Sequence, residues 1–390
     1  MAADLRAPSE GVPNVLFVTG HWPPAQGGMA TSADRIVRGL REDGVEVDVL
    51  HLSSRARASR GARMPGGREL VWPVGSELPE DLAALLPALG RRGRPWQVVV
   101  AFGGPLPVFV GPTLAGWLGV PLVVALRGAD IDTGMFHPRR VVHLERALRR
   151  ADLVVAVSGD KVHKVRALGC VAPVRVVPNG IDLADWEPLP SDRMRAARLR
   201  TEVGGPDDGV VVGCVGHLKR KKGVAELAQA IVDVELQEVV RLVLAGDATP
   251  DVVAAIDAQV DRGLVVHRLP FVDRERLLGV LPAFDVVALP SVHDGMPNVM
   301  LEAGGLGLPL LASRAGGMGD HLEDGVHGWL FDPGDQAGLQ RAVWRMHRDR
   351  ARFTAFGRAW QDRVRTCFTS EHETAAWRAA LSLVTVVEGG

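Results

Sequence analysis

Two stretches in the second half of the chain carry side chains suited to a phosphorylated, hydroxylated ligand. In the first, Gly216-His217-Leu218-Lys219-Arg220-Lys221-Lys222-Gly223, four successive cations follow the apolar run Val210–Val215. Open α/β sheets bind ligands at the carboxyl ends of their strands, and there such a loop can clamp a diphosphate. Lys222 would supply the point charge, with Lys219 or Arg220 assisting. A solvated run of charge is the competing reading. In the second stretch, Pro290 to Ala303, proline at 297 predicts a helix that begins there. The amides around Gly295, Met296, Asn298 and Val299 are then free to meet an anion. Glu302, about one and a half turns further on, can accept two hydrogen bonds and suits adjacent ribose hydroxyls. Asp294 can bind sugar hydroxyls from the loop, and Gly295 lets the backbone come close. Taken singly, Glu302 is a helix-dipole residue and Asp294 a turn residue; their spacing behind Leu289-Pro290-Ser291 favours a shared ligand.

The first half holds a smaller anion signal. A strand at Val15–Val18 runs into Thr19-Gly20-His21-Trp22 and then Gly27-Gly28, with a helix opening near Ala30. Gly27 and Gly28 would let amides approach an anion that the helix dipole also favours, or they form a plain turn. A dinucleotide fold would need G-x-G-x-x-G directly after the strand and an acidic residue closing the second strand. Here the glycines stand at 20, 27 and 28 and the second strand ends in Leu50-His51, which argues against a nicotinamide-dependent oxidoreductase.

These segments need strands and helices to position them. Short β-branched runs alternate with helical spacing, the sign of parallel sheets with crossover helices, so the fold class is α/β. Strands are predicted at Val15–Val18, Val45–Leu50, Gln97–Ala101, Leu122–Ala125, Leu153–Val157 and Val174–Val177. In the second half they fall at Val210–Val215, Arg241–Ala245, Leu264–Arg268, Val286–Leu289 and Leu310–Ala312. Helices include Ala30–Glu42 and Arg139–Arg150. The Pro/Gly/Arg-rich stretch Arg55–Arg68 reads as a mobile loop. The predicted organisation is a flexible N-terminus (1–12), an N-terminal Rossmann-like domain (13–200), a second such domain (201–365) and a C-terminal helix (366–390). Turn residues Gly204-Gly205-Pro206-Asp207-Asp208 mark the expected link.

A chain of 390 residues exceeds what one core of roughly 250–300 residues can organise, which fits two lobes. Its 45 basic and 46 acidic residues leave a net charge of −1, so nothing in the balance calls for nucleic acid or an anionic membrane. Three widely spaced cysteines make neither a disulfide framework nor a metal site, and the N-terminus lacks a secretory apolar region. A cytoplasmic protein without integral membrane contact is expected, with peripheral contact left open, acting as a monomer or homodimer.

The run Asp294–Glu302 resembles the E-x₇-E signature of retaining glycosyltransferases of family 4, often written E-G-x-P-N-x-x-L-E-A. Gly27-Gly28, Ala151–Ser158, Pro178–Asp182, Gly216–Gly223, Ala245-Gly246-Asp247 and Leu289-Pro290-Ser291 resemble further elements of that family, so the likeness covers most of the chain. It implies the GT-B architecture, two Rossmann-like domains facing across a cleft. The second would bind mainly the nucleotide-sugar donor and the first mainly the acceptor, with a last helix around Glu371–Leu383 returning to the first domain. It also implies transfer with retention by a front-face mechanism that needs no metal or cofactor. The leaving diphosphate takes the acceptor proton while helix amides and Lys222 stabilise its charge. Asp130-Ile131-Asp132 matches a metal-binding D-x-D by letters alone.

Three positions depart from the family pattern. Asp294 replaces the first glutamate, His217 replaces the arginine beside the diphosphate, and Arg127 stands where a histidine is frequent near the anomeric centre. Arg127 can neutralise a phosphate or hold an acceptor carboxylate, or simply pair with Asp130 or Asp132. The catalytic candidates are Lys222, Asp294 and Arg127. For a small soluble acceptor the candidates are His21, Trp22, Arg127, Asp130, His137 and Arg139. Another GT-B activity, epimerase or phosphorylase, and a non-catalytic nucleotide-sugar binder are the rival functions.

Overall fold

The computed structural model describes residues 13–91, 96–204 and 209–385. The chain divides into two compact units, Met1–Pro178 with Ser370–Gly390, and Asn179–Thr369.

The first unit is built on β1 (Val15–Thr19), β2 (Val47–Ser53), β3 (Arg60–Met64), β4 (Gly67–Pro73), β5 (Val98–Phe102), β6 (Leu122–Leu126), β7 (Leu153–Ala156) and β8 (Val174–Val176). Their order is β3-β4-β2-β1-β5-β6-β7-β8, with β3 antiparallel to β4 and the other pairings parallel. Successive side chains point to opposite faces, and both faces are covered, which is why these strands read as continuous apolar runs. Val15 and Phe17 pack with Ile36 and Leu40 of helix Gly28–Glu42 and with Trp377 and Leu381 of helix Ser370–Thr385. Leu16 and Val18 share the opposite core with Leu85, Leu114 and Leu148, from helices Leu78–Gly90, Pro105–Leu118 and Pro138–Arg150.

The second unit is a six-stranded parallel sheet of β9 (Val210–Val215), β10 (Val240–Ala245), β11 (Val265–Leu269), β12 (Val286–Leu289), β13 (Leu310–Ser313) and β14 (Gly328–Phe331). The order β11-β10-β9-β12-β13-β14 sets β9 beside β12, so the two predicted ligand loops leave neighbouring strands.

Several expectations need correction. The stretch Arg55–Arg68 contains β3 and the start of β4, joined through Pro65, Gly66 and Gly67, the two glycines having φ of 72° and 148°. Every residue of β3 is exposed, and a charged edge strand carries no apolar periodicity to read. The second strand lies at Val47–Ser53, and four-residue β14 went unpredicted. Residues 179–200 belong to the second unit, where Arg200 of helix Pro190–Val203 binds Asp285 at 2.6 Å, so the division falls after Pro178. Of the expected link, 205–208 lie outside the described residues, as do the N-terminal residues 1–12. No helix among the described residues is long and apolar enough to cross a membrane.

Candidate active site

In the second unit the two loops are fastened to each other. Gly223, at φ 67°, lies where a Cβ would come within 2.0 Å of the Pro290 carbonyl oxygen, and Val292 N–H donates to the Lys221 carbonyl at 2.8 Å. Only glycine permits that approach. The result is a contact of 2.6 Å between Lys222 Nζ and Asp294 Oδ2, two residues 72 apart in sequence. Their side chains keep 25% and 17% of their exposure, so the pair is reachable from solvent. Burial would raise the Asp294 carboxyl. The Lys222 ammonium, with Lys221 and the Gly295 amide at 2.8 Å, outweighs it and holds the group below its ordinary value.

Behind Asp294 the backbone is pinned from two directions. Gly317 N–H donates to the Gly295 carbonyl at 2.6 Å, and Asn179 Nδ2 donates to the Met296 carbonyl at the same distance. Asn179 is buried and was not among the predicted site residues, although its Pro178–Asp182 motif was visible. Helix Asn298–Gly305 starts one residue later than expected, with Pro297 at its N-cap. Val299 and Glu302 are buried, Asn298 is half-buried, and Trp360 Nε1 donates to the Met300 carbonyl at 2.8 Å. His217, Lys219 and Arg220 are exposed on the loop. Below them, burial pushes the Cys214 thiol up to about 12, so it stays protonated near neutrality and is no nucleophile.

The candidates of the first unit meet mixed fates. Gly27 caps helix Gly28–Glu42 with φ 112°, a conformation that favours glycine, and faces open space on its Cβ side. Arg127 is buried, and its guanidinium pairs with Glu373 of helix Ser370–Thr385 at 3.7 Å, while the Asp130 carboxylate also supports its charge. Glu373 also takes a two-pronged bond from Arg35, at 2.6 and 3.2 Å. The Arg127 guanidinium sits 5.3 Å over the Phe102 ring, and burial lowers its pKa to about 10 against the opposing pull of Glu373. Asp130 accepts the backbone N–H groups of Arg127, Gly128 and Ile131, and Asp132 pairs with Lys161 and Lys164.

Trp22 is buried and donates Nε1 to Glu69 at 3.2 Å, so its ring is part of the core and does not face a ligand. His137 caps helix Pro138–Arg150, accepting the Arg139 N–H at 3.3 Å, while Arg139 itself is exposed. His21 stays exposed beyond the end of β1.

Two family models match this chain: "Glycosyl transferase 4-like domain" over residues 27–180 and "Glycosyl transferases group 1" over residues 209–349. A D-inositol 3-phosphate glycosyltransferase of Xylanimonas cellulosilytica is 30% identical over 390 residues, spanning 89% of this chain and 92% of that one. The chain belongs to glycosyltransferase family 4. Its fold is the GT-B fold of that family. Sucrose-phosphate synthase from Thermosynechococcus elongatus superposes with a TM-score of 0.80 at 20% identity, covering 95% of this chain and 98% of the other. Anabaena HepE in complex with UDP-glucose gives 0.77 at 23% identity, over 95% and 100%. The protein is a glycosyltransferase, and Lys222 and Asp294 lie within the matched group 1 region.

Proposed function

We propose that the protein moves a hexose from a nucleoside-diphosphate sugar to a small soluble acceptor with retention of configuration, without metal or cofactor, in the cytoplasm. The observation that supports this most is the Lys222–Asp294 contact beside the amino-terminal turn of helix Asn298–Gly305. A donor of this kind needs a cation and backbone amides for its diphosphate and a carboxylate for its hexose. One pair of loops carries Lys222, the first turn of that helix and Asp294, although the Gly295 amide, expected to meet the anion, donates to Asp294 instead.

As the bond from the anomeric carbon to the diphosphate breaks, charge grows on the phosphate oxygens, where Lys222 and the helix amides stabilise it. The acceptor oxygen bonds to the anomeric carbon on the face the diphosphate leaves, and its proton passes to a phosphate oxygen. No side-chain nucleophile is required. Glu302 holds the ribose hydroxyls, and Asp294, one methylene shorter than glutamate, sets which hexose fits. The second unit thus serves the donor and the first the acceptor.

UDP-glucose is the first donor to test, since the Anabaena neighbour was solved with it, and D-inositol 3-phosphate the first acceptor, after the Xylanimonas relative. Proton NMR of the product formed in excess EDTA should give an α-linked sugar at an undiminished rate. A β-linked product would overturn retention, and a rate abolished by EDTA would overturn metal independence. Nucleotide binding without transfer, across panels of donors and acceptors, would reduce the protein to a binder.

A further inference from the structure

Helix Pro138–Arg150 of the first unit presents charge of one sign to solvent. Its core side is set by Leu144, Ala147 and Leu148. At 3.6 residues per turn, Arg139, Val142, Arg146, Arg149 and Arg150 fall on the opposite side within an arc of about 100°, and every one of them is exposed. The four arginines are spread over about 16 Å of helix. One carboxylate stands beside them, that of Glu145, 3.5 Å from Arg149. Arg139, Arg146 and Arg150 make no side-chain hydrogen bond or ion pair among the described residues. A helix face that is merely solvated commonly alternates its signs and laces them together; this one does not.

Apolar side chains flank the same helix. Val171, Phe136 and Val142, at 88%, 78% and 57% exposure, are the most exposed large apolar residues described in the first unit. Val142 lies inside the arginine arc, and Phe136 ends the turn Gly134–Phe136 that leads into the helix. Val171 follows Cys170, whose thiol donates to the Leu148 carbonyl near the helix's carboxyl end at 3.7 Å. At that end lies a cavity of about 540 Å³, lined by Gly116, Gly119, Pro121, Arg149, Arg150 and Asp152. The Arg150 guanidinium lies along Gly116 there, 3.6 Å from where a Cβ would stand. Asp152 is already engaged, accepting the Leu122 N–H at 2.8 Å.

We propose that this face docks on an anionic lipid bilayer, its arginines against the lipid phosphates and Phe136, Val142 and Val171 at the level of the headgroups. Each arginine brought to an anionic membrane surface adds about fivefold in affinity, and a guanidinium forks onto a phosphate. Exposed aromatic and branched side chains gain by settling at the boundary of headgroups and acyl chains. The cavity beside Arg149 and Arg150 has room for one headgroup. A nucleic acid would meet the same charge, but its phosphates and sugars give isolated valines nothing apolar to bury against. The contact is peripheral and reversible, and nothing in it depends on the identity of the acceptor.

The test is co-sedimentation of the full-length protein with vesicles, either equal parts of phosphatidylglycerol and phosphatidylcholine or phosphatidylcholine alone. Binding should be confined to the anionic vesicles and should weaken steeply between about 50 and 300 mM salt. Arg146→Gln, Arg149→Gln and Arg150→Gln together should weaken it about a hundredfold, with the melting temperature and the turnover of soluble substrates unchanged. Phe136→Ser should weaken it about tenfold. Arg60→Gln with Arg63→Gln, on the exposed edge strand β3, should change it by less than about twofold. The proposal is overturned if the anionic vesicles are not bound at about 100 mM salt. It is equally overturned if the β3 pair costs as much as the helix triple or if Phe136→Ser changes nothing, because general basicity would then explain the binding. Duplex DNA bound more tightly than the vesicles through the same three arginines would overturn it in favour of a nucleic acid.

Discussion

Each unit joins the ends of distant segments through ions, but in opposite ways. In the second unit Lys222 meets Asp294 in a single short contact that keeps a quarter of the lysine side chain exposed. In the first, Glu373 lies between Arg35 and Arg127, all three side chains at 6% exposure or less. A partly solvated lysine can change partners, because its three donors rotate and water supports the exchange. Two buried guanidinia around one carboxylate cannot, since losing the anion leaves uncompensated charge in a poorly polar interior. The first pair suits a site that must receive a diphosphate. The second suits a joint that ties helix Ser370–Thr385 to helix Gly28–Glu42 and to the end of β6.

The largest effect should come from breaking the buried joint. Glu373→Gln removes the carboxylate charge while keeping its shape, and loss of one partner from a buried pair costs about 3–5 kcal/mol. The first unit's melting transition should fall by about 10 °C, with faster amide exchange along helix Ser370–Thr385. An unchanged melting curve and unchanged exchange would mean that the buried triad holds nothing together.

For the exposed pair the expected order is reversed. Lys222→Ala should lower the melting temperature by only a few degrees, because a partly solvated ion pair is screened by water and contributes about 1 kcal/mol. Yet kcat/KM should drop about a hundredfold, the scale expected when a group that stabilises transition-state charge is removed. A fall of less than about tenfold, some 1.4 kcal/mol in the barrier, would sink the role given to Lys222.

The contrast also explains what could be read from sequence. Lys222 and Asp294 were legible as candidates because the role proposed for them depends on local order, a loop of set length after a strand and a proline ahead of a helix. That the two touch was not, since it depends on β9 lying beside β12. Glu373 was invisible as a partner of Arg35, 338 residues away, because a glutamate in an amphipathic helix reads as solvated. Trp22 and His137 have structural roles that the sequence did not reveal. An aromatic and an imidazole near strand ends suggest ligand contact, but a core bond to Glu69 and a helix cap account for them. The basic stretch Arg55–Arg68 looked structureless because an exposed edge strand needs no apolar face.

The smallest effect tests how firmly the exposed pair holds Asp294 ionised. Its carboxyl lies below the ordinary value of 3.8 although burial pushes it upward, so the depression is owed chiefly to Lys222. A depressed carboxyl contributes stability that is complete above its unfolded value and is lost as pH falls through the folded one. In the intact protein that loss therefore begins below about pH 4. Without Lys222, burial remains and its counterweight is mostly gone, so in Lys222→Ala the Asp294 titration should move to the high side of 3.8. Carbon-13 NMR of the Asp294 carboxyl in both proteins reads this directly. Coincident midpoints would mean that Lys221 and the Gly295 amide hold the charge, and that Lys222 is free to leave Asp294 for a diphosphate at little cost.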